Sequence, residues 1–358
     1  MRRAAAITAA VVASAVALVL AAVGEDDAGE RGEPSLTTRL DDVVAAGVPG
    51  ALVYVVDGRH AVSVARGVAN RMTGAELRAA DRFRAGSITK TFVAAVVLQL
   101  AAEGRLELDA PVASWLPGLV PEGITVRQLL AHTSGLADYV DDGTIVSGPV
   151  VSHRRLVEEA LARTPVAAPG ERYSYASTNY LVLGLLVERI TANPLEYELR
   201  QRILLPVGLD NTTFEPGVVH LRVRGYRPTV HDGIVSGEPE DTSSESAAWA
   251  WSAGAIVSDA DDLARFLDAL VTGHVVAKPL LDEMIPTLGY GLGLAAFTTS
   301  CGTAIGHTGN LAGYVSVAWV DPHAERTVVL MANSYPLGPD ADAAVHRALD
   351  TAFCGTTD

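Results

Sequence analysis

Lysine and cysteine are scarce in this chain of 358 residues. Lys90 and Lys278 are the only lysines, so that 25 of the 27 basic residues are arginine, and Cys301 and Cys354 are the only cysteines. Two cysteines exclude a disulfide-rich small domain, and the absence of a Cys-x-x-Cys pair excludes a zinc ribbon. Aromatic residues are also few, at 6%, yet 49% of the residues are hydrophobic. This is an ordinary globular composition and not that of a disordered chain.

Positive charge is in deficit as well. The 42 acidic residues outnumber the 27 basic ones and give a formal net charge of −15 at pH 7. Binding to nucleic acid needs a basic surface that neutralises phosphates, so this balance excludes a general nucleic-acid binder. The nine histidines show neither an HExxH pair nor another metal-ligand spacing. We therefore expect neither a metal ion nor a cofactor.

The chain begins with the pattern of an export signal. Arg2 and Arg3 precede an unbroken run of apolar and small residues over 4–23. A basic start followed by such a run predicts a signal peptide over 1–24, and the charged, glycine-containing stretch 25–36 is typical of a linker. About 20 apolar residues can also cross a bilayer, so an uncleaved anchor is the alternative. We predict a secreted protein that has no membrane contact after cleavage, or one tethered to the membrane by this segment.

Export determines how the two cysteines are interpreted. In an oxidising compartment two cysteines most simply form one disulfide, here between Cys301 and Cys354. The alternative is a pair of buried thiols.

Strand patterns lie near both ends of the chain and helical patterns lie between them. The runs 51–56 and 61–65 flank a tight turn, as do the runs 313–320 and 327–332, and each pair predicts a hairpin. Helices are predicted at about 87–103, 152–163, 179–192, 259–271 and 340–353. We expect an α+β domain over 37–356. Its antiparallel β-sheet would be built from both chain ends and flanked by helices, with a mostly helical insertion over about 105–280.

Lys90 is unusual because this protein otherwise uses arginine. Arginine stays protonated, whereas a desolvated lysine can lose its proton, so a site that needs a neutral amine would retain lysine. Ser87 lies three residues upstream, which places both side chains on one face of the predicted helix. The first turn of a helix also offers unpaired N–H groups and the positive end of the dipole. The pattern predicts a serine nucleophile with its own base. The alternative is a helix-cap serine followed by a stray lysine.

Two other segments carry groups suited to the same chemistry. Tyr175 lies between a Pro-Gly turn and a helix, where its hydroxyl can transfer a proton if a nearby cation lowers its pKa. His307 and Thr308 lie on a strand and offer a partial charge and a hydroxyl, and the glycines beside them would let a substrate backbone lie along this edge. The alternatives are a core tyrosine and a turn with one surface histidine.

These segments together resemble the serine β-lactamase and penicillin-binding family. The likeness rests on 83–90, 129–136, 175–177 and 306–309, with further matches at 106–112, 249–254 and 289–293. The similar branch contains class C β-lactamases, serine D-Ala-D-Ala carboxypeptidases and related esterases. Because histidine stands in place of lysine before Thr308, the chain looks most similar to the secreted carboxypeptidases and esterases. The late cysteine pair also resembles those carboxypeptidases. The resemblance implies an α/β sandwich of the β-lactamase/transpeptidase type.

The resemblance also implies roles for individual residues. Ser87 would attack a carbonyl carbon, neutral Lys90 would take its proton, and Tyr175 would relay a proton to the leaving group. Backbone N–H groups of Ser87 and Asn310 would form the oxyanion hole. A further set of residues would bind or orient the substrate: Ser177, Trp249, His307, Thr308 and Gly309.

Two departures from the family pattern affect the substrate. Ser177 stands where asparagine is usual, and its shorter hydroxyl could donate to Lys90 or to a substrate amide but lacks the paired carbonyl and NH₂. Neither lysine nor arginine occurs over 289–306, so His307 is the only candidate cation there for a substrate carboxylate. This weakens the prediction of an exopeptidase and favours an esterase or amidase with a different acceptor.

We predict an exported serine hydrolase that acts through an acyl-enzyme. The most direct expectation is a D-Ala-D-Ala carboxypeptidase that acts on peptidoglycan-type peptides and binds β-lactams. A secreted esterase or class C-like β-lactamase is the first alternative, and a non-catalytic binder of cell-wall peptide or β-lactam is the second. The expected partners are small-molecule or peptide substrates and not nucleic acid. We expect the protein to be a monomer.

Overall fold

The computed structural model describes residues 34–140, 152–231, 234–235 and 237–355. The predicted signal peptide over 1–24, and the predicted linker up to residue 33, lie outside these residues. The helices are α1 (Leu36–Ala45), α2 (Thr89–Ala102), α3 (Val126–Leu130), α4 (His153–Leu161), α5 (Ser177–Thr191), α6 (Leu195–Leu199), α7 (Leu205–Val207), α8 (Ala260–Val271), α9 (Lys278–Met284) and α10 (Pro339–Cys354). The strands are β1 (Gly50–Asp57), β2 (His60–Asn70), β3 (Ala75–Glu76), β4 (Phe83–Arg84), β5 (Thr213–Phe214), β6 (Tyr226–Arg227), β7 (Val230–His231), β8 (Ile234–Val235), β9 (Glu240–Asp241), β10 (Ile256–Ser258), β11 (Gly289–Tyr290), β12 (Ala295–Thr299), β13 (Gly302–Leu311), β14 (Tyr314–Val320) and β15 (Arg326–Ala332).

An antiparallel sheet of eight strands joins the two ends of the chain. Its order is β11-β12-β13-β14-β15-β1-β2-β3. Strand β15 pairs with β1 from Ala51 opposite Ala332 to Asp57 opposite Arg326. The described residues of 105–280 supply α3 to α8 and the short strands β5 to β10, and none of these strands joins the large sheet. The predicted antiparallel sheet from both chain ends, with helices between, is confirmed.

Both faces of this sheet are covered, because successive side chains along a strand point to opposite faces. Along β15, Val328 and Leu330 face a core that α1 and α10 complete. Val329 and Met331 face the larger core on the other side, to which α2, α5 and α8 belong. The two predicted hairpins are β1–β2 and β14–β15, and both are confirmed.

Helix α2 passes through the larger core. Its side chains are buried on almost every face, as the apolar sequence predicts, and Phe92 stacks on Phe266 of α8 with ring centroids 3.6 Å apart. The α-helix begins at Thr89, two residues later than predicted. Gly86 has a φ of +53°, a left-handed conformation that turns the chain, and Gly86–Ile88 form a single 3-10 turn that leads into the helix. The first turn of α2 therefore carries Lys90, and Ser87 lies in the turn before it.

A capping box opens α3. Thr125 accepts from the backbone N–H of Gln128, and the Gln128 side chain accepts from the N–H of Thr125. No helix among the described residues combines the length and hydropathy that crossing a bilayer requires.

Cys301 and Cys354 are joined by a disulfide in the structure. Their Cα atoms are 5.5 Å apart, and the bond connects the turn between β12 and β13 to the end of α10. The bridge spans a sequence separation of 53 residues. A disulfide that closes a loop of this size restricts the unfolded chain, and in a chain-entropy treatment this raises the free energy of unfolding by about 4 kcal/mol.

Replacing both cysteines by serine should therefore lower the free energy of unfolding by about 4 kcal/mol, measured by denaturant titration of the oxidised protein and the variant. The intact mass of the protein, measured under denaturing conditions, should increase by two hydrogen atoms on reduction. Identical masses with and without reductant would rule the disulfide out.

Candidate active site

Ser87 and Lys90 are hydrogen-bonded to each other, as their spacing predicts. Lys90 Nζ lies 2.9 Å from Ser87 Oγ and donates to the carbonyl oxygen of Ala253, also over 2.9 Å. The Lys90 side chain is 0% exposed, whereas Ser87 is only partly buried. A substrate can therefore reach the hydroxyl but not the amine.

Burial changes the charge of this amine. Desolvation lowers the pKa of Lys90 from 10.5 to about 7, and the carboxylate of Asp138 opposes the effect. Near neutral pH a large fraction of Lys90 is therefore the neutral amine, which can accept the proton of the Ser87 hydroxyl. Arginine in the same place would stay charged and could not do so.

The turn that carries Ser87 lies directly against β13. A Cβ atom built on Gly86 would stand 2.7 Å from the backbone N of Asn310, and one built on Gly309 would stand 1.8 Å from the carbonyl oxygen of Ala85. Any side chain at either position would force the two backbones apart. Glycine thus allows the close approach that brings together the Ser87 and Asn310 backbones, whose N–H groups are the predicted oxyanion donors.

One edge of β13 is open beside the site. Strand β12 pairs with β13 only as far as Gly306, whereas β14 pairs with β13 up to Leu311. Thr308 is partly buried and Asn310 is exposed, so both can be approached from solvent. An extended substrate segment can lie along this edge, as the glycines predict.

His307 is not the cation that the sequence suggested. The residue is 5% exposed, its Nδ1 donates to the carbonyl oxygen of Thr308, and its Nε2 lies 3.0 Å from Tyr290 Oη. Burial, and to a lesser degree the charge of Lys90, lower the pKa of His307 from 6.5 to about 3. The prediction that His307 offers positive charge to a substrate carboxylate is therefore wrong, because the enclosed imidazole stays neutral.

Tyr175 lies beside the base, with its ring centroid 5.0 Å from Lys90 Nζ. Its hydroxyl interacts with Ser87, which favours the phenolate, but burial outweighs this and raises the pKa of Tyr175 well above 10. The expected lowering of the pKa by a neighbouring cation is wrong, because burial disfavours the charged forms of both Tyr175 and Lys90. Tyr175 is thus a protonated phenol, which can donate to a leaving group.

His132 supports Tyr175 and was not among the predicted site residues. The two rings stack with centroids 4.2 Å apart. His132 Nδ1 accepts from the N–H of Ala176 over 3.2 Å and pairs with the side-chain amide of Asn179 at 3.0 Å. The side chain is fully buried, which lowers the pKa of His132 well below 6.5. The neutral ring fixes the position of Tyr175, and the only sequence signal for it is its place in the 129–136 segment.

Asp138 is the acidic group that acts on the base. Its Oδ1 accepts from the N–H of Val140 over 3.2 Å, and the N–H of Ser177 at the start of α5 also favours the carboxylate. Burial acts more strongly and raises the pKa of Asp138. The charge of this carboxylate raises the pKa of Lys90. No sequence pattern singled out Asp138.

Ser177 and Trp249 occupy the margin of the site. Ser177 is the first residue of α5, and among the described contacts no hydrogen bond joins it to Lys90. The two bonds of the amine go to Ser87 and Ala253. The Trp249 carbonyl accepts from Tyr139 Oη over 2.6 Å, and its side chain lines a small cavity beyond the end of β13.

The assembled groups suit nucleophilic acyl transfer. A partly exposed serine contacts a neutral amine and a protonated phenol, and the backbones of Ser87 and Asn310, which carry the predicted oxyanion donors, lie close together. Across the described ranges, no cluster of three or more His, Cys, Asp or Glu side chains is placed to hold a metal ion.

Comparison with known proteins places these features in context. A family model described as Beta-lactamase matches residues 34–353. Penicillin-binding protein 4 of Amycolatopsis lactamdurans is 34% identical over 47% of this chain and 45% of its own length. Esterase EstB of Burkholderia gladioli is 32% identical over 66% of this chain and 70% of its own length. The match therefore spans less than half of the penicillin-binding protein and about two thirds of the esterase.

A solved structure extends the likeness over nearly the whole described chain. A D-stereospecific amidohydrolase from Streptomyces sp. is 34% identical and superimposes with a TM-score of 0.80, covering 90% of this chain and 98% of that one. The fold that the resemblance implies is thereby confirmed.

The pH dependence of activity should report the titration of Lys90. We expect kcat/KM for an activated ester to fall as the pH drops through about 7, because protonation removes the base. Asp138→Asn should shift this fall to lower pH, since the carboxylate that raises the pKa of Lys90 is gone. Asp282→Asn, at an exposed partner of Lys278, should leave the profile unchanged. A fall at the same pH in the Asp138 variant would show that this carboxylate does not act on the base.

Lys90→Arg should be nearly as inactive as Lys90→Ala, with kcat/KM at least about 100-fold below the parent protein, because arginine cannot serve as a base. The matched control is Lys278→Arg, which changes the exposed lysine of the Asp282 pair and should retain full activity. Substantial activity in Lys90→Arg would refute the role of Lys90 as a base.

Proposed function

Because the chain belongs to the β-lactamase family, whose members are serine hydrolases, we propose that it is an exported hydrolase of amides and esters whose leaving group carries no carboxylate. The observation that carries this proposal is the enclosure of His307, whose two ring nitrogens already bond to the Thr308 carbonyl and the Tyr290 hydroxyl and leave no cation among the described residues for a carboxylate on this edge of β13. The N-terminal pattern over 1–24 supports the export part of the proposal.

Acylation uses the contacts around Ser87. Its Oγ attacks the carbonyl carbon while neutral Lys90 takes the hydroxyl proton across the 2.9 Å contact. The oxyanion forms between the N–H groups of Ser87 and Asn310, where each donor contributes about 3 kcal/mol to transition-state stabilisation. Tyr175 then protonates the leaving amine or alcohol as its bond to carbon breaks, and recovers a proton from Lys90. The acyl group remains as an ester on Ser87.

Deacylation reverses the proton path with water in place of the leaving group. Neutral Lys90, through Tyr175, takes a proton from water as the water oxygen bonds to the acyl carbon. The bond between this carbon and Ser87 Oγ then breaks, and Oγ receives the proton. The carboxylic acid product leaves and the resting charges are restored.

The electrostatics of the site disfavour a carboxylate on the leaving group. Among the described residues, Lys90 is the only cationic side chain that acts on the pKa of His307, and its own pKa is about 7. Asp138 supplies a negative charge near Lys90 and Tyr175. A buried carboxylate needs a charged or hydrogen-bonding partner, and a carboxamide or an ester does not need a cation.

Two relatives support this class of reaction. One is named an esterase and the other a D-stereospecific amidohydrolase, and the second aligns with nearly the whole described chain. We therefore extend the proposal to acyl groups derived from D-amino acids. The D-Ala-D-Ala carboxypeptidase that the sequence favours has support from the penicillin-binding relative. That activity, however, requires recognition of a terminal carboxylate.

Two substrates that differ only in this charge separate the candidates: an N-acyl-D-Ala-D-Ala peptide and its C-terminal carboxamide. We expect kcat/KM for the carboxamide to exceed that for the free acid at least about tenfold, a difference of about 1.4 kcal/mol. A short-chain ester and a cephalosporin assayed in parallel test the esterase and β-lactamase alternatives.

Ser87→Ala should abolish turnover of all four substrates, and Ser244→Ala, at an exposed serine, should not. Preference for the free acid would overturn the proposed leaving group and restore the carboxypeptidase. Fastest turnover of the cephalosporin would favour the β-lactamase, and binding without turnover would favour the non-catalytic binder.

A further inference from the structure

We propose that Tyr290 is a positioning residue that holds His307 in one uncharged tautomer and thereby fixes the Thr308 segment of β13 that faces the substrate. The consequence for substrates rests on the proposed function. The tautomer itself is a property of the folded protein and can be tested without any substrate.

The hydrogen bonds of His307 define this tautomer. Its Nδ1 contacts the carbonyl oxygen of Thr308, which can only accept, so Nδ1 carries the ring proton. In a neutral ring Nε2 then has only a lone pair, and the Tyr290 hydroxyl lies 3.0 Å from it and donates to it. The other neutral tautomer would set the lone pair of Nδ1 against that carbonyl, so Thr308 selects the tautomer and Tyr290 supplies the donor that its Nε2 lone pair requires.

No negative charge among the described residues stabilises the imidazolium form of His307. The groups that act on its pKa are Lys90, whose charge opposes protonation, and the Thr308 carbonyl. His132 is the other titratable group that interacts with it, and its ring is also neutral. The neighbours of His307 across β14, from Val317 to Trp319, carry no ionisable side chain.

Tyr290 is itself held by the aromatic groups of the site. Its ring meets that of His307 nearly edge-on, with centroids 5.6 Å apart and planes at 88°. It packs against His132 at 4.8 Å and against Tyr175 at 6.2 Å. Its backbone pairs with Ala295 of β12. His132 thus packs against both Tyr290, whose hydroxyl contacts His307, and Tyr175, the proposed proton donor to the leaving group.

Loss of this hydroxyl has a specific consequence. Nε2 of His307 would become a buried acceptor without a partner, which is unfavourable. Rotation of the ring would relieve this but break the bond from Nδ1 to Thr308, and protonation of Nε2 would relieve it by placing a positive charge beside the Thr308 segment. Binding of a neutral substrate should weaken more than the chemical step slows, so KM should rise several-fold with a smaller fall in kcat.

The direct test is ¹⁵N NMR of histidine-labelled protein, with His307→Gln used to assign the signals. In the parent protein we expect a protonated Nδ1 and an unprotonated Nε2 from pH 5 to pH 8. Tyr290→Phe keeps the ring but removes the hydroxyl, and it should shift the Nε2 signal towards the protonated position at the acidic end of this range. Identical His307 signals in the two proteins would overturn the proposal.

Tyr54→Phe is the matched control. It also removes one tyrosine hydroxyl bond, to Asp261 over 2.8 Å, on the sheet away from the site, and should change neither the His307 signals nor KM. If Tyr290→Phe does not fold, the spectrum of the parent protein still decides, because a protonated Nε2 there contradicts the proposal. If no substrate turns over, the proposed function fails while the spectra still report the tautomer.

Discussion

Enclosure of the Lys90 amine is the constraint on which the rest of the site depends. Burial lowers the pKa of Lys90 from 10.5 to about 7. Transfer from water into this site is therefore about 5 kcal/mol less favourable for the ammonium form than for the neutral amine. This enclosure requires a helix that is apolar on nearly all faces, and α2 is such a helix. The same apolar surroundings determine the protonation of every titratable group nearby.

Apart from the Asp138 carboxylate, the site is accordingly built largely from groups that are neutral at rest. His132 and His307 have lowered pKa values and Tyr175 a raised one, with burial as the largest cause in each case. Further charge arises during the reaction, as the oxyanion and the protonated Lys90. In a medium of low dielectric, fixed N–H donors and the Ala253 carbonyl stabilise such transient charges more strongly than water-exposed groups would.

Local sequence rules predict the groups that react and the neutral amine of Lys90, but not the protonation of His307 and Tyr175. The i, i+3 spacing puts Ser87 beside Lys90, and the glycines of 306–309 predict an accessible strand edge. The neutral state of His307 depends on its burial, and Tyr290 meets its ring only because β11 and β12 fold back on β13. Asp138 acts on Lys90 by its charge and is bound by the N–H of Ser177 at the start of α5, and these segments are far apart in sequence. The left-handed Gly86 that delays α2 likewise reflects its contact with Asn310.

Such a site discriminates against a substrate whose charge none of its groups neutralises. A carboxylate close to Lys90 would stabilise the ammonium form, raise the pKa of the base and reduce the fraction that can accept the Ser87 proton. The substrate would thus suppress the base that its own hydrolysis needs, unless a cation neutralised it first. An amide or an ester has no such effect, and a free ammonium group would act on Lys90 in the opposite direction. The proposed preference for a leaving group without a carboxylate thus has the same physical origin as the basicity of Lys90 at neutral pH, the burial of its amine.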